Sequence, residues 1–130
     1  MHRWIYLLVA SGGALGSVAR FWLSGVVGKR WGDGLPFGTL AVNILGCLAI
    51  GFFATVSGPD GRWFVRSEWR LAFMTGVCGG FTTFSAFSLQ TLDLGLHGQW
   101  LRAGMNVLLS VALCLLAVWL GHICATAVNR

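Results

Sequence analysis

Thr75-Gly76-Val77-Cys78-Gly79-Gly80-Phe81-Thr82-Thr83-Phe84-Ser85-Ala86-Phe87-Ser88 lies in the middle of an apolar segment that covers residues 71–92. At about 1.5 Å per residue, and about 20 residues per crossing, that segment is long enough to span a bilayer as a helix. Its centre is a poor helix. Gly79 and Gly80 each weaken a helix by about 1 kcal/mol relative to alanine, and Thr82 and Thr83 carry hydroxyls suited to capping a new helix start. One reading is therefore two half-helices that meet near the bilayer midplane. Irregular backbone survives at that depth only where protein or a water-filled cavity covers it. The first half would end in carbonyls that suit a cation, and the second would begin with N–H groups that suit an anion. Gly76-x-x-x-Gly80 is equally a small-xxx-small pattern, which gives a helix packed closely on a neighbour. The residues alone leave both readings open.

The rest of the chain has the same character. Of 130 residues, 56% are hydrophobic and only 10% charged, against about 25% charged in a soluble domain. The chain reads as a single integral membrane domain, all α, with four spans near 4–28, 37–56, 71–92 and 103–125. The first apolar run is too long for a secretory signal and carries Arg20 where a cleavage region would stand. The net charge of +5 sits at span ends rather than in a patch, which gives no basis for nucleic-acid binding. Five of the seven tryptophans (Trp4, Trp31, Trp63, Trp69 and Trp100) fall at or near span ends, as interfacial anchors against membrane lipid do. Cys47, Cys78, Cys114 and Cys124 all lie in apolar segments without a CxxC or a nearby histidine. Reduced, packed thiols are expected there, not disulfides or a zinc site.

Inside the spans the polar residues are few. Arg20 lies well within the first span. A charge at the bilayer centre costs about 3 kcal/mol on insertion scales, so it either faces protein or water, or snorkels to the nearer interface. Thr39 and Asn43 are spaced i, i+4 on the second span and share a face. For a lone intramembrane asparagine the default partner is another helix. Asn106, Ser110 and Cys114 form a mildly polar stripe on the fourth span, ended by the apolar Val118. The loop over 57–70 combines turn chemistry at Gly58-Pro59-Asp60-Gly61 with arginines interleaved among Trp63, Phe64 and Trp69.

Four spans put both termini on one side. Arg3, Arg62, Arg66, Arg70 and Arg130 lie there, against Lys29, Arg30 and Arg102 opposite, with Arg20 added if it is drawn to that end. The bias is feeble, so the sequence specifies orientation poorly, and oppositely oriented copies could pair about a two-fold axis in the membrane plane. Four helices do not easily enclose a polar pathway and shield it from lipid. A homodimer or larger assembly is expected.

Three motifs in this order resemble the CrcB/Fluc family of fluoride channels. They are Gly12-Gly13-Ala14-Leu15-Gly16-Ser17-Val18-Ala19-Arg20, then Pro36-Phe37-Gly38-Thr39-Leu40-Ala41-Val42-Asn43-Ile44-Leu45-Gly46, then the 75–87 stretch with its Gly-Gly followed by Thr-Thr-Phe-Ser-x-Phe. The resemblance covers nearly the whole chain and is weakest in the fourth span and at the termini. It implies a dual-topology, antiparallel homodimer in a bacterial inner membrane that passes F⁻ passively out of the cytoplasm and relieves fluoride toxicity. It also implies that Phe84 and Phe87 line the anion pathway, that Asn43 donates to the anion and that Arg20 stands at an electropositive entrance. A central structural Na⁺ would rest on the backbone carbonyls of Gly79 and Thr82.

The residues fit that expectation at several points. Fluoride is small and strongly hydrated, so a pore must replace water's hydrogen bonds, and Asn43, Thr39, Thr83, Ser85 and Ser110 are available donors. Phenyl rings offer a positive edge. Phe84 and Phe87, three apart on a helix, can face one route and bind an anion weakly enough to release it. Where relatives continue a hydroxyl track along the fourth span, this chain reads Asn106, Ser110, Cys114, Val118, which thins the donors towards one end. A proton-coupled exporter of the small multidrug-resistance type needs a titratable group in the membrane. Asp33, Asp60, Glu68 and Asp93 all lie in loops or at span ends. A membrane assembly subunit explains the glycines but not Arg20, Asn43 and a broken third span together. No nucleophile–base pair, phosphate loop or metal cluster points to an enzyme.

Overall fold

The computed structural model describes residues 3–130. Four helices long and apolar enough to cross a membrane follow one another: α1 (Trp4–Trp31), α2 (Phe37–Val56), a composite third span over Ser67–Leu96, and α6 (Trp100–Asn129). The described residues form no strand. The third span has four parts. These are α3 (Ser67–Leu71), a π-helical segment (Ala72–Cys78), the short α4 (Gly79–Phe81) and α5 (Phe84–Leu96). The first, third and fourth helices run further than hydropathy placed them, because their ends carry the charged and aromatic residues that belong to the membrane interface.

Two glycine-fitted seams hold the spans together. On one, α1 lies against the first half of the third span. A Cβ at Gly12 would stand 2.9 Å from the Ala72 carbonyl oxygen, and one at Gly76 would stand 2.9 Å from the Val9 carbonyl oxygen. At Gly16 a Cβ would collide with the Val77 carbonyl, and at Gly80 it would crowd the Gly13 backbone. Two Gly-x-x-x-Gly faces thus interlock, Gly12/Gly16 with Gly76/Gly80. The π-helical segment, with its extra residue per turn, lies along this contact. On the other seam α2 and α6 pair along their length. Gly51 has no room for a Cβ against the Val118 backbone, nor Gly121 against the backbones of Leu48 and Phe52. Without a hydrophobic drive in lipid, close backbone packing of this kind is what holds helices together.

The ends are tied by arginines placed on helix C-termini, where the dipole favours a cation. Arg70 donates from Nη2 to the Ala54 carbonyl at 3.0 Å and from Nε to Ser57 Oγ at 3.1 Å, closing the end of α2. Arg62 reaches the Val128 carbonyl at 3.1 Å, and its backbone N–H donates to Asn129 Oδ1 at 2.9 Å. The loop over 57–66 is thereby fastened to the end of α6.

The third span does break, but two residues beyond the second glycine. Gly79 and Gly80 are helical, and it is Thr82 (φ −88°, ψ 158°) and Thr83 (φ −152°, ψ 115°) that are extended. The glycines serve the seam with α1. The alternatives left open by the residues are therefore both realised, at adjacent positions.

Candidate functional site

The break is held by a side chain from α2. Thr83 N–H donates to Asn43 Oδ1 at 2.7 Å, and Asn43 Nδ2 donates to the Thr83 carbonyl at 3.0 Å. A helical N–H at residue 83 would otherwise bond the carbonyl at residue 79. Asn43 takes that N–H, so the Gly79 carbonyl loses its helical donor. On the near side of the break, Thr82 N–H and Thr82 Oγ1 both donate to the Cys78 carbonyl, at 2.9 and 3.0 Å. On the far side, Thr83 Oγ1 caps α5 by accepting from the Ala86 N–H at 3.1 Å. Ser17 Oγ of α1 reaches the Gly80 carbonyl at 3.5 Å. The amide of Asn43 is fixed in sense, oxygen to N–H and nitrogen to carbonyl, and one of its two N–H bonds remains for another acceptor.

Beside the break lies a cavity of about 460 Å³, lined among others by Asn43, Gly79, Thr82, Thr83, Phe84, Phe87 and Ser110. Seven of the residues singled out in the sequence thus meet in one place. The rings of Phe84 and Phe87 sit 5.1 Å apart and tilted by 52°, so they are not stacked in parallel. Phe87 is 8% exposed, whereas Phe84 is 76% exposed on the outside of the chain.

The remaining candidates lie elsewhere. Thr39 is buried and lines a separate cavity of about 810 Å³ at the far ends of α1 and α2, together with Lys29, Gln90 and Asp93. Ser85 is exposed and hydrogen-bonded to Thr83, Oγ to Oγ1 at 3.2 Å. Arg20 lines neither cavity. It is half-buried, and its Nε is shut off from solvent without a hydrogen-bond partner. Neither of the two ion pairs found among the described residues, Arg66–Glu68 and His97–Asp93, involves it. The only other buried side-chain atom without a partner among the described residues is Gln90 Oε1.

The polar stripe of α6 turns inward, and Asn106 donates to α5 without lining the central cavity. Thr91 Oγ1 donates to the Phe87 carbonyl at 2.7 Å, and Asn106 Nδ2 donates to Thr91 Oγ1 at 2.8 Å. Ser110 Oγ then donates to Asn106 Oδ1 at a long 3.5 Å. Asn106, only 2% exposed, gives one of its two N–H bonds to Thr91 and turns its carbonyl towards Ser110. The donor this stripe offers to the central cavity is the Ser110 hydroxyl, whose present bond is weak enough to give up. Thr91 was not singled out from the sequence. Its place four residues after Phe87, on the same helical face, is the signal that could have found it.

The family model for CrcB-like protein, Camphor Resistance (CrcB), matches residues 7–122, from the first turns of α1 almost to the end of α6. The chain belongs to the CrcB family. Three relatives match over nearly their full length. A protein of Paramagnetospirillum magneticum named fluoride-specific ion channel FluC is 59% identical over 125 residues, covering 96% of this chain and 98% of the relative. Proteins of the same name from Rhodospirillum rubrum and Opitutus terrae are each 58% identical over 125 residues, covering 96% of this chain and 97% and 95% of themselves. The part of the chain matched by the CrcB model contains the Asn43–Thr83 clamp, both phenylalanines, Arg20 and the α6 stripe.

Proposed function

We infer that this chain is a fluoride-selective passive channel, working as an antiparallel homodimer in a bacterial inner membrane and letting F⁻ leave the cytoplasm. The observation that carries the reading is the full-length identity, up to 59%, to proteins named fluoride-specific ion channels. The geometry is in keeping with it. Four acids are the chain's whole complement, and each lies in a loop or in the first or last turn of a helix. A proton-coupled cycle through the membrane therefore has no carboxylate to use.

An anion in the central cavity meets the free N–H of Asn43, the Ser110 hydroxyl and the edges of two phenyl rings. Each interaction is modest, which is the condition for passage rather than trapping. Thr83 and Ser85 share a hydrogen bond that either hydroxyl can redirect. Arg20 supplies a positive potential along the approach, and Thr39 marks the other cavity as a vestibule. The dimer closes what one chain leaves open, since Phe84 is a pathway residue 76% exposed in the isolated chain. An antiparallel partner would bring its own helix break to the same depth.

The donor set at the break fits a structural Na⁺. The Gly79 carbonyl has lost its helical N–H, and the extended Thr82 turns its own carbonyl out of the helical ladder. Neutral carbonyl oxygens of this kind suit a hard monovalent cation, and two from each chain make four across a dimer axis. The ion would supply fixed positive charge between the two copies.

The test is anion efflux from liposomes reconstituted with the purified protein, F⁻ against Cl⁻, with valinomycin carrying the balancing K⁺. Rapid loss of F⁻ with little loss of Cl⁻ is expected. Folded, dimeric protein that releases no F⁻ would sink the reading.

A further inference from the structure

Three cysteines from three elements converge on the central cavity: Cys47 of α2, Cys78 at the end of the π-helical segment and Cys114 of α6, with the Met74 thioether beside them. All are free thiols. Cys47 stands one turn beyond Asn43 and Cys114 one turn beyond Ser110, so both follow the faces that carry the proposed anion contacts. Across the α2–α6 seam Cys47 faces Cys114 in the register by which Gly51 meets Val118 and Thr55 meets His122. Cys78 is buried against protein, whereas Cys47 and Cys114 keep some exposure. Cys124 is exposed and lines none of the cavities described above.

The chemistry of this wall is soft. The cavity contains no carboxylate and no imidazole, and among the described residues no group of three or more His, Cys, Asp and Glu side chains is placed to hold an ion. Hard and borderline divalent ions therefore find no adequate ligand set. A soft monovalent cation that takes two sulfur ligands in line requires only a pair.

We propose that Cys47 and Cys114 form a two-coordinate site for a soft monovalent cation of the Ag⁺/Cu⁺ class, on the wall of the anion pathway. Binding breaks both S–H bonds, forms two S–metal bonds and releases two protons to water, with no change of oxidation state. The product, RS–Ag–SR, carries one negative charge. That charge sits one turn from Asn43 and Ser110, where a passing anion makes its contacts, so a filled site repels fluoride and closes the route. The closing step rests on the reading of this cavity as the fluoride path; the site itself does not.

The probe is Ag⁺ in chloride-free medium, since silver fluoride dissolves where silver chloride precipitates. Ag⁺ added to reconstituted liposomes is expected to stop F⁻ efflux, with recovery on adding dithiothreitol. Cys47→Ser and Cys114→Ser each remove one of two ligands and should raise the Ag⁺ needed by at least about tenfold. Cys124→Ser should respond as the unaltered protein does. In parallel, purified protein treated with Ag⁺ and then a maleimide is weighed intact. Two thiols per chain should be shielded, and in the double serine variant the two remaining thiols should label as they do without Ag⁺. Absence of shielding in protein that conducts overturns the site and leaves the channel reading standing. Shielding with undiminished efflux overturns the closure, and with it the placement of this cavity on the fluoride path.

Discussion

The two seams of this protein are built from the same residue type and end differently. Along α2 and α6, Gly51 and Gly121 admit the opposing backbone and both helices run unbroken. Along α1 and the third span, Gly12, Gly16, Gly76 and Gly80 do the same, yet the third span is π-helical at the contact and extended one turn later. Glycine is common to both, so glycine does not make the break. What the third span has at mid-length, and α6 has only at its end, is a side chain from a neighbour that takes its backbone bonds. Asn43 captures both the N–H and the carbonyl of Thr83, and Thr83's own hydroxyl starts the next helix. In hydrocarbon, a backbone group leaves the helical ladder only if another partner is supplied.

Removing that partner is the most damaging change. Asn43→Leu leaves the half-buried Thr83 N–H and carbonyl unpaired, at up to about 1–3 kcal/mol for each group. It should lower the melting temperature in detergent and abolish F⁻ efflux. If instead the variant melts and conducts normally, the break does not depend on α2. Next in size are the seams. Gly16→Val and Gly121→Val both press a branched side chain into opposing backbone, and overpacking costs about 1–3 kcal/mol. The two should destabilise the fold alike, whereas Gly104→Ala, in open space, should leave the melt unchanged. Unequal losses at the two seams would mean that the π-helical segment yields where α2 and α6 do not.

A smaller effect is expected at the cap. Thr83→Ala removes the hydroxyl that accepts from Ala86, worth about 1 kcal/mol, and Thr83→Ser should restore it. A thermal melt of the three proteins reads this directly. The smallest is Thr91→Val. It cuts the bond to Asn106, at about 0.6 kcal/mol for an interhelical hydrogen bond in a membrane protein. Its sharper readout is efflux, because a released Asn106 amide can turn its N–H towards Ser110 and change the hold on fluoride. A change in the F⁻ concentration for half-maximal flux is expected, with the melt nearly unmoved.

Much of this was legible in the chain itself. Hydropathy and tryptophan placement gave four spans, and the thinness of charge excluded a soluble fold. The pairing of Gly-Gly with Thr-Thr-Phe-Ser-x-Phe pointed to a break in the third span and to a family. Residue type also determined that Thr83 could cap and that Asn43 needed a partner, since these follow from the hydrogen-bonding inventory of each side chain. What the sequence could not contain was which groups would meet. Gly79-Gly80 and Thr82-Thr83 were both candidates for the break, and the choice fell to Asn43, 40 residues away from Thr83. Asn106 read as a donor, and only the packing showed that Thr91 receives its N–H. Cys47, Cys78 and Cys114 were isolated thiols until three helices turned them to one wall. A local pattern fixes what a residue can do within a turn or two of its own helix. Which of its hydrogen-bonding atoms remain free is decided by the neighbouring helix, and that is a property of the packing.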